Sequence, residues 1–126
     1  NEKKGTQAAR GLVFMLPKSR KLKGRDVFFL VYRTGKRFFA DYLTVYAETN
    51  QNNSKFACVI SKKAGKKAVA RNKLRRRSYS IIRRHLSDLK EGQSVILVFK
   101  KGAAELSYFE LEKRILEIFK KSKLLK

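Results

Sequence analysis

An α+β fold is what this sequence predicts: a single domain with one four-stranded sheet and helices packed on it. Residues 42–48 alternate between Leu43, Val45, Ala47 on one side and Tyr42, Thr44, Tyr46 on the other, the period of a strand. Residues 104–121 space their apolar side chains for a helix instead. The candidate elements follow in the order α-β-β-β-α-β-α, a pattern of one sheet with helices rather than alternating βα units. The 126 residues suit one domain, and an apolar content of 43% suffices for a core.

Residues 1–15 read as an appendage, polar and small over Asn1 to Arg10, and disorder is the expectation there. Met15 is a possible native start, with the preceding residues an extension or an expression remnant. After a basic lead-in from Lys18 to Lys23, a helix is expected from Arg25 to Arg33, with Gly35 as its stop signal. At ~100° per residue this helix puts Val27, Leu30 and Val31 on one side and Phe28, Phe29 and Tyr32 on another. One core interface needs one apolar stripe, so a second, aromatic stripe is left over.

Strands are expected at 36–39, 42–48 and 55–61. The polar segment Asn50 to Ser54 reads as a hairpin turn, which predicts antiparallel pairing of the second and third strands. A basic loop occupies 62–68 and a long helix 69–89, ended by Glu91-Gly92. Ser94 to Phe99 is continuously apolar, as for a central strand. The last helix, 104–121, buries Tyr108, Leu111, Ile115, Ile118 and Phe119, and residues 122–126 are expected to fray.

Charge narrows the function. Lys+Arg number 32 against 10 Asp+Glu, a net +22 with a pI near 10.6. Such a chain repels itself unless a polyanion neutralises it, and nucleic acid is the leading candidate over a membrane surface or an acidic protein. No run approaches the ~18 apolar residues of a membrane span. Cys58 is the only cysteine, so no internal disulfide is possible, and a reducing, cytoplasmic setting is the expectation.

The charge concentrates. From Lys62 to Arg84 there are eleven cations (Lys62, Lys63, Lys66, Lys67, Arg71, Lys73, Arg75, Arg76, Arg77, Arg83, Arg84) and no acid. Like charges three and four apart destabilise a helix, so folding alone does not account for them. On a helical wheel Leu74, Ser78, Ile81, Ile82, His85 and Leu89 form a core face. Asn72, Arg76, Tyr79 and Arg83 form a second stripe, bordered by Arg75, while Lys73, Arg77 and Arg84 lie on the far side. Arginine forks onto phosphate and stacks on bases, and asparagine offers donor and acceptor together. The bland alternative is a solvated helix face; the absence of any acid favours RNA contact.

At these residues the sequence resembles the bacterial ribonuclease P protein family. Ser61-Lys62-Lys63-Ala64-Gly65 followed by Ala68-Val69-Ala70-Arg71-Asn72-Lys73-Leu74-Arg75-Arg76 is similar to the family signature S-K-K-x-G-x-A-V-x-R-N-x-x-[KR]-R. The likeness runs from Leu16 to Leu124 and includes Leu22-Lys23, the aromatic helix and Gly35. The resemblance implies a 16–126 domain of αβββαβα order with a left-handed βαβ crossover, the ribosomal protein S5 domain 2-like arrangement. It also implies that the chain is the RNA-binding subunit of a tRNA-processing endoribonuclease. The catalytic RNA subunit, using Mg²⁺ held mainly by that RNA, would remove the 5′ leader of precursor tRNA. Arg71, Asn72, Arg75 and Arg76 match the motif and would bind that RNA, with Lys62, Lys63, Lys66, Lys67 and Lys73 around them. The chain departs from the pattern by one extra residue between Gly65 and Ala68. It also has Tyr79 and Ser80 where the family usually has Arg and Glu. Arg83, one turn on, is a candidate substitute, and Tyr79 and Arg83 join the set by their shared face.

The resemblance further implies a cleft for the single-stranded leader between the first helix and the sheet, lined here by Phe28, Tyr32 and Tyr46. Aromatic rings stack bases without reading sequence, at ~1–3 kcal/mol per base. The competing reading is that Phe28 and Tyr32 are ordinary core. Lys62 and Lys63 would neutralise the leader backbone. A ribosomal or other structural RNA-binding protein is the alternative function. A stand-alone nuclease is disfavoured: His85 is a lone histidine on the core face, and Asp26, Asp41 and Glu48 are scattered, so no catalytic residue is expected in this chain.

Overall fold

The computed structural model describes residues 16–126; the expectations for residues 1–15 fall outside the described part. Helix α1 spans Arg25–Thr34, followed by strands β1 (Lys36–Phe39), β2 (Leu43–Thr49) and β3 (Lys55–Ile60). Helix α2 (Ala68–Arg84), strand β4 (Gln93–Phe99) and helix α3 (Tyr108–Lys121) complete the order. Short 3₁₀ turns stand at Lys18–Arg20, Leu86–Asp88 and Ala103–Glu105.

The four strands form one mixed sheet in the order β1-β2-β4-β3. β2 pairs antiparallel with both β1 and β4, and β3 pairs parallel with β4. The expected hairpin between the second and third strands is therefore absent: β4 lies between them. The physical reason is burial. Val95, Leu97 and Phe99 fill the core on one face, Ile96 is sealed on the other, and only the sheet centre covers both faces. The polar turn that suggested a hairpin bonds to the entry of β4 instead. Asn50 N–H donates to Gly92 O (2.8 Å), Asn50 Nδ2 to Ser94 Oγ (2.9 Å), and Gln93 N–H to Ser54 Oγ (3.0 Å).

One face of the sheet carries α2 and α3. Leu43, Val45, Phe56, Leu97 and Phe99 meet Leu74, Ile81 and Ile82 of α2 and Leu111, Ile115, Ile118 and Phe119 of α3. Ser78 sits in this interface with its hydroxyl satisfied by Leu74 O at 2.8 Å. α2 ends at Arg84, five residues before expectation. His85 N–H is shared between the carbonyls of Ile81 and Ile82, a tightening that leads into the 3₁₀ turn. Leu89 is still buried, through its bridge to Leu125 rather than through a helix. That bridge also corrects the expected fraying of the tail: Lys90 N–H donates to Leu124 O, Lys126 N–H to Asp88 O, and Leu124 is buried. α3 starts at Tyr108 rather than 104 because Ser107 and Glu110 close a capping box, an S-x-x-E signal present in the sequence.

The other face carries α1. Val31 and Phe28 pack toward Tyr46 and Ile96, with Leu22 beside them. Val27, Phe29, Leu30 and Tyr32 remain exposed. The buried side of α1 is thus the i, i+3 pair Phe28 and Val31, and each of the two expected stripes is split between sheet and solvent. The end of α1 lies close on β2: a Cβ on Gly35 would come within 2.5 Å of Val31 O and 3.0 Å of Ala47 O. Both obstacles are backbone. The lead-in runs along the free edge of β3, where Leu22 N–H donates to Phe56 O (2.8 Å) and Lys21 bridges Phe56 in parallel. Arg20 anchors it, gripping Glu91 with Nη1 and Nη2, while Glu91 also accepts from Ser54 N–H at 2.9 Å.

Two expectations follow. Gly35→Ala keeps an allowed backbone conformation but lacks space, and should lower unfolding stability by about 1–3 kcal/mol in urea titrations. Arg20, and then the Ser54 N–H, hold the Glu91 carboxyl down to about 2, against its ordinary 4.5. A depressed acid stabilises the fold above its unfolded value and loses that contribution as pH falls from 4.5 through about 2. Glu91→Gln should flatten this part of the acid-unfolding curve, with the effect shrinking at high salt because the carboxylate is half exposed.

Candidate RNA interface

The basic loop and α2 form a cationic ridge. Lys62, Lys63, Lys66, Lys67, Asn72, Lys73 and Arg76 are exposed, and Arg71, Arg75, Tyr79 and Arg83 are half-buried. Among the described residues no carboxylate pairs with any cation from Lys62 to Arg83; Arg84, one position further, reaches Glu112 at 3.2 Å.

The ridge residues do not all project alike. Arg71 Nη1 donates to the carbonyls of Gly65 and Lys66, both at 2.9 Å, so its guanidinium shapes the basic loop from within. Gly65 makes that packing possible, since a Cβ there would meet Ala104 Cβ at 2.9 Å and Arg71 Cγ at 3.3 Å. The loop is tied to the same place by Ala104 N–H donating to Ala64 O at 3.1 Å. Asn72 Oδ1 accepts from Arg75 Nη1 at 3.2 Å, coupling the two.

Tyr79 leaves the expected outward stripe. Its hydroxyl accepts from Cys58 N–H at 3.3 Å, on the edge strand β3, and Lys21 Nζ stands 4.9 Å from its ring centroid. Burial pushes the Tyr79 phenol up to about 12, so it stays protonated at neutral pH. Burial likewise raises the neighbouring Cys58 thiol to about 12, which keeps it unreactive. Arg83 lies one turn beyond, its buried Nε without a hydrogen-bond partner.

On the opposite face of the sheet the three aromatic residues expected to act together do meet. Tyr32 stacks on Tyr46 with centroids 4.7 Å apart and planes 22° from parallel, and Phe28 stacks on Tyr32 at 6.3 Å. Tyr46 is nearly covered, whereas Tyr32 is 46% exposed. They are neither wholly core nor wholly free. Burial raises the Tyr46 phenol, and the Tyr32 hydroxyl beside it adds to this against the lowering pull of Arg37.

Beyond α1 this face continues over residues that sequence reading did not single out. Arg37 stands opposite Tyr46 and Phe39 opposite Thr44, while Val59 stands opposite Val98. Phe39 is 56% exposed, with Lys100 Nζ 5.5 Å from its ring centroid. The period-2 alternation of β1 was the available signal, placing Arg37 and Phe39 on one side; what it lacked was the register against β2. The cations Lys62 and Lys63 follow the last residue of β3, Ile60, which is in register with Phe99.

Two further titratable groups make contacts within the fold. His85 Nε2 lies 2.9 Å from Glu112 Oε2, and Asp41 reaches only Arg114, at 4.0 Å. Among the described residues no three of His, Cys, Asp and Glu converge on a point. Among the described residues no helix is long and apolar enough to cross a membrane.

Known proteins resemble this chain in sequence and fold. The family model for ribonuclease P matches residues 16–123. The ribonuclease P protein component of Microcystis aeruginosa is 33% identical over 115 residues, covering 87% of this chain and 96% of the relative. That of Pseudanabaena sp. is 34% identical over 113 residues, covering 88% and 97%. The crystallised Staphylococcus aureus protein shares the fold, with a TM-score of 0.79 at 22% identity over 86% of this chain and 100% of that one. The acid-free ridge, the aromatic stack across the sheet from it and a family match spanning nearly the whole described chain lead to one conclusion: this chain belongs to the ribonuclease P protein family.

Proposed function

We propose that this chain works as the RNA-binding subunit of ribonuclease P in tRNA 5′ processing, with one surface for the RNA subunit and another for the leader of precursor tRNA. The observation that carries the reading is the division of labour between the two faces of the sheet. The cationic ridge has no acid to neutralise it, so a polyanion completes it and releases counterions on binding. Arg75, Arg76, Lys73 and Asn72 serve as direct contacts. Arg71 acts mainly by holding the loop that carries Lys62, Lys63, Lys66 and Lys67 in shape.

The stack of Phe28, Tyr32 and Tyr46 suits an extended strand whose bases are free to stack, and Arg37, Phe39 and Lys100 extend that surface. Stacking tolerates any base, as removal of leaders of varied sequence requires. Only precursor has a leader, so this surface favours substrate over product. Hydrolysis belongs to the RNA subunit, which holds the Mg²⁺; the protein's positive charge lowers repulsion between the two RNAs.

The test is reconstitution. Added to its ribonuclease P RNA, the chain should stimulate precursor-tRNA cleavage at low Mg²⁺, and should cleave nothing without that RNA. Absence of stimulation would return the protein to the alternative of a structural RNA-binding role. Tyr46→Ala, which removes the support beneath the exposed ring of Tyr32, should weaken binding of precursor by up to the worth of that one base stack, roughly 5- to 100-fold, and leave mature tRNA unchanged. Equal losses for both would remove the stack from the leader surface.

A further inference from the structure

A cavity of about 360 Å³ opens beside α2, away from the aromatic stack. Tyr79 and Tyr108 line it together with the buried Leu16. Three parts of the chain meet here: the lead-in, the middle of α2 and the first residue of α3. Both phenols are tied down, Tyr108 to Ser80 Oγ at 3.1 Å and Tyr79 to the Cys58 N–H. Lys21, Arg75, Arg76 and Arg77 also line the cavity, and among the described residues no carboxylate does. Lys21 occupies one face of Tyr79, leaving Tyr108 and the arginine planes as surfaces for stacking.

This combination is selective. An apolar peptide or acyl chain would satisfy the rings but strand four cations in a dry contact. A phosphate alone would satisfy the cations but leave the rings uncovered. A nucleotide whose base has left its stack satisfies both. The volume, near the lower end of small-ligand sites, has room for one base and not for a paired duplex.

We propose that this cavity receives a single unstacked nucleobase of the ribonuclease P RNA, its flanking phosphates held by Lys21 and the arginines of α2; this rests on the reading of the chain as an RNA-subunit-binding protein. The cavity then supplies a shape-dependent contact in an interface otherwise dominated by charge. It also accounts for a tyrosine turned inward from a cationic stripe.

Ser80→Leu fills the cavity and removes no charge. In complexes of the full chain with ribonuclease P RNA, this variant should bind about 10-fold more weakly, with an unchanged slope of log affinity against log salt. Tyr108→Leu should give the same loss, which keeps the test alive if Ser80→Leu fails to fold by thermal unfolding. Arg76→Ala is the comparator and should lower the slope by about one unit. Short-wavelength irradiation of the wild-type complex should leave a nucleotide adduct on Tyr79 or Tyr108, detected by peptide mass mapping. If both cavity variants bind like wild type while Arg76→Ala lowers the slope, the pocket proposal fails and the RNA-binding reading stands. If all three behave as wild type, the pocket proposal fails and Arg76 leaves the contact set, while the RNA-binding reading stands or falls with the reconstitution. If Ser80→Leu lowers the melting temperature of the free chain but leaves RNA affinity intact, the cavity serves the chain's own residues and the proposal is overturned.

Discussion

The structure depends on the burial of β4. A strand whose residues are apolar on both faces is stable only where both faces are covered, which puts it between β2 and β3. That placement makes β3 parallel to β4, sends the intervening chain through α2, and commits α2 and α3 to one face. Among the described helices the other face is left to α1, a ten-residue helix too short to cover it. Closed on one side and partly open on the other, the sheet offers two surfaces of different chemistry.

The charges are distributed to the same effect. The carboxylates in ion pairs serve the fold: Glu91 clamps the lead-in through Arg20, Glu112 joins the end of α2 to α3, and Asp41 and Glu117 meet Arg114. None reaches the stretch from Lys62 to Arg83. Self-repulsion in that stretch opposes folding. It is tolerated because Leu74, Ile81 and Ile82 are fully packed beneath it. The ridge is therefore held by its underside and left unneutralised on top.

Within each surface, some side chains face outward and others shape their neighbours. Arg71 and Gly65 belong to the recognisable basic motif, yet their contacts are internal: a guanidinium on two loop carbonyls, and a missing side chain that admits Ala104. Tyr46 likewise supports Tyr32 from below. Substituting such residues changes the presentation of neighbours as much as it removes a contact, which matters when ranking contributions to RNA affinity.

Much of this is legible along the chain. The alternation of 42–48 assigns Leu43 and Tyr46 to opposite faces, the wheel of α2 separates Leu74 and Ile81 from Arg76, and the surplus of apolar residues in α1 announces an incompletely covered helix. These are local periodicities, and the backbone enforces them wherever the element sits. Partners are a different matter. Neighbouring strands joined by a polar turn look like a hairpin, but β4, more than 40 residues later, competes for the same edge with more surface to bury. The inward turn of Tyr79, the buried tail through Leu124 and the meeting of Phe39 with Lys100 also depend on contacts between distant segments. Register and long-range burial are properties of the assembled sheet, settled by which packing removes the most apolar surface from water, and no window of sequence contains them.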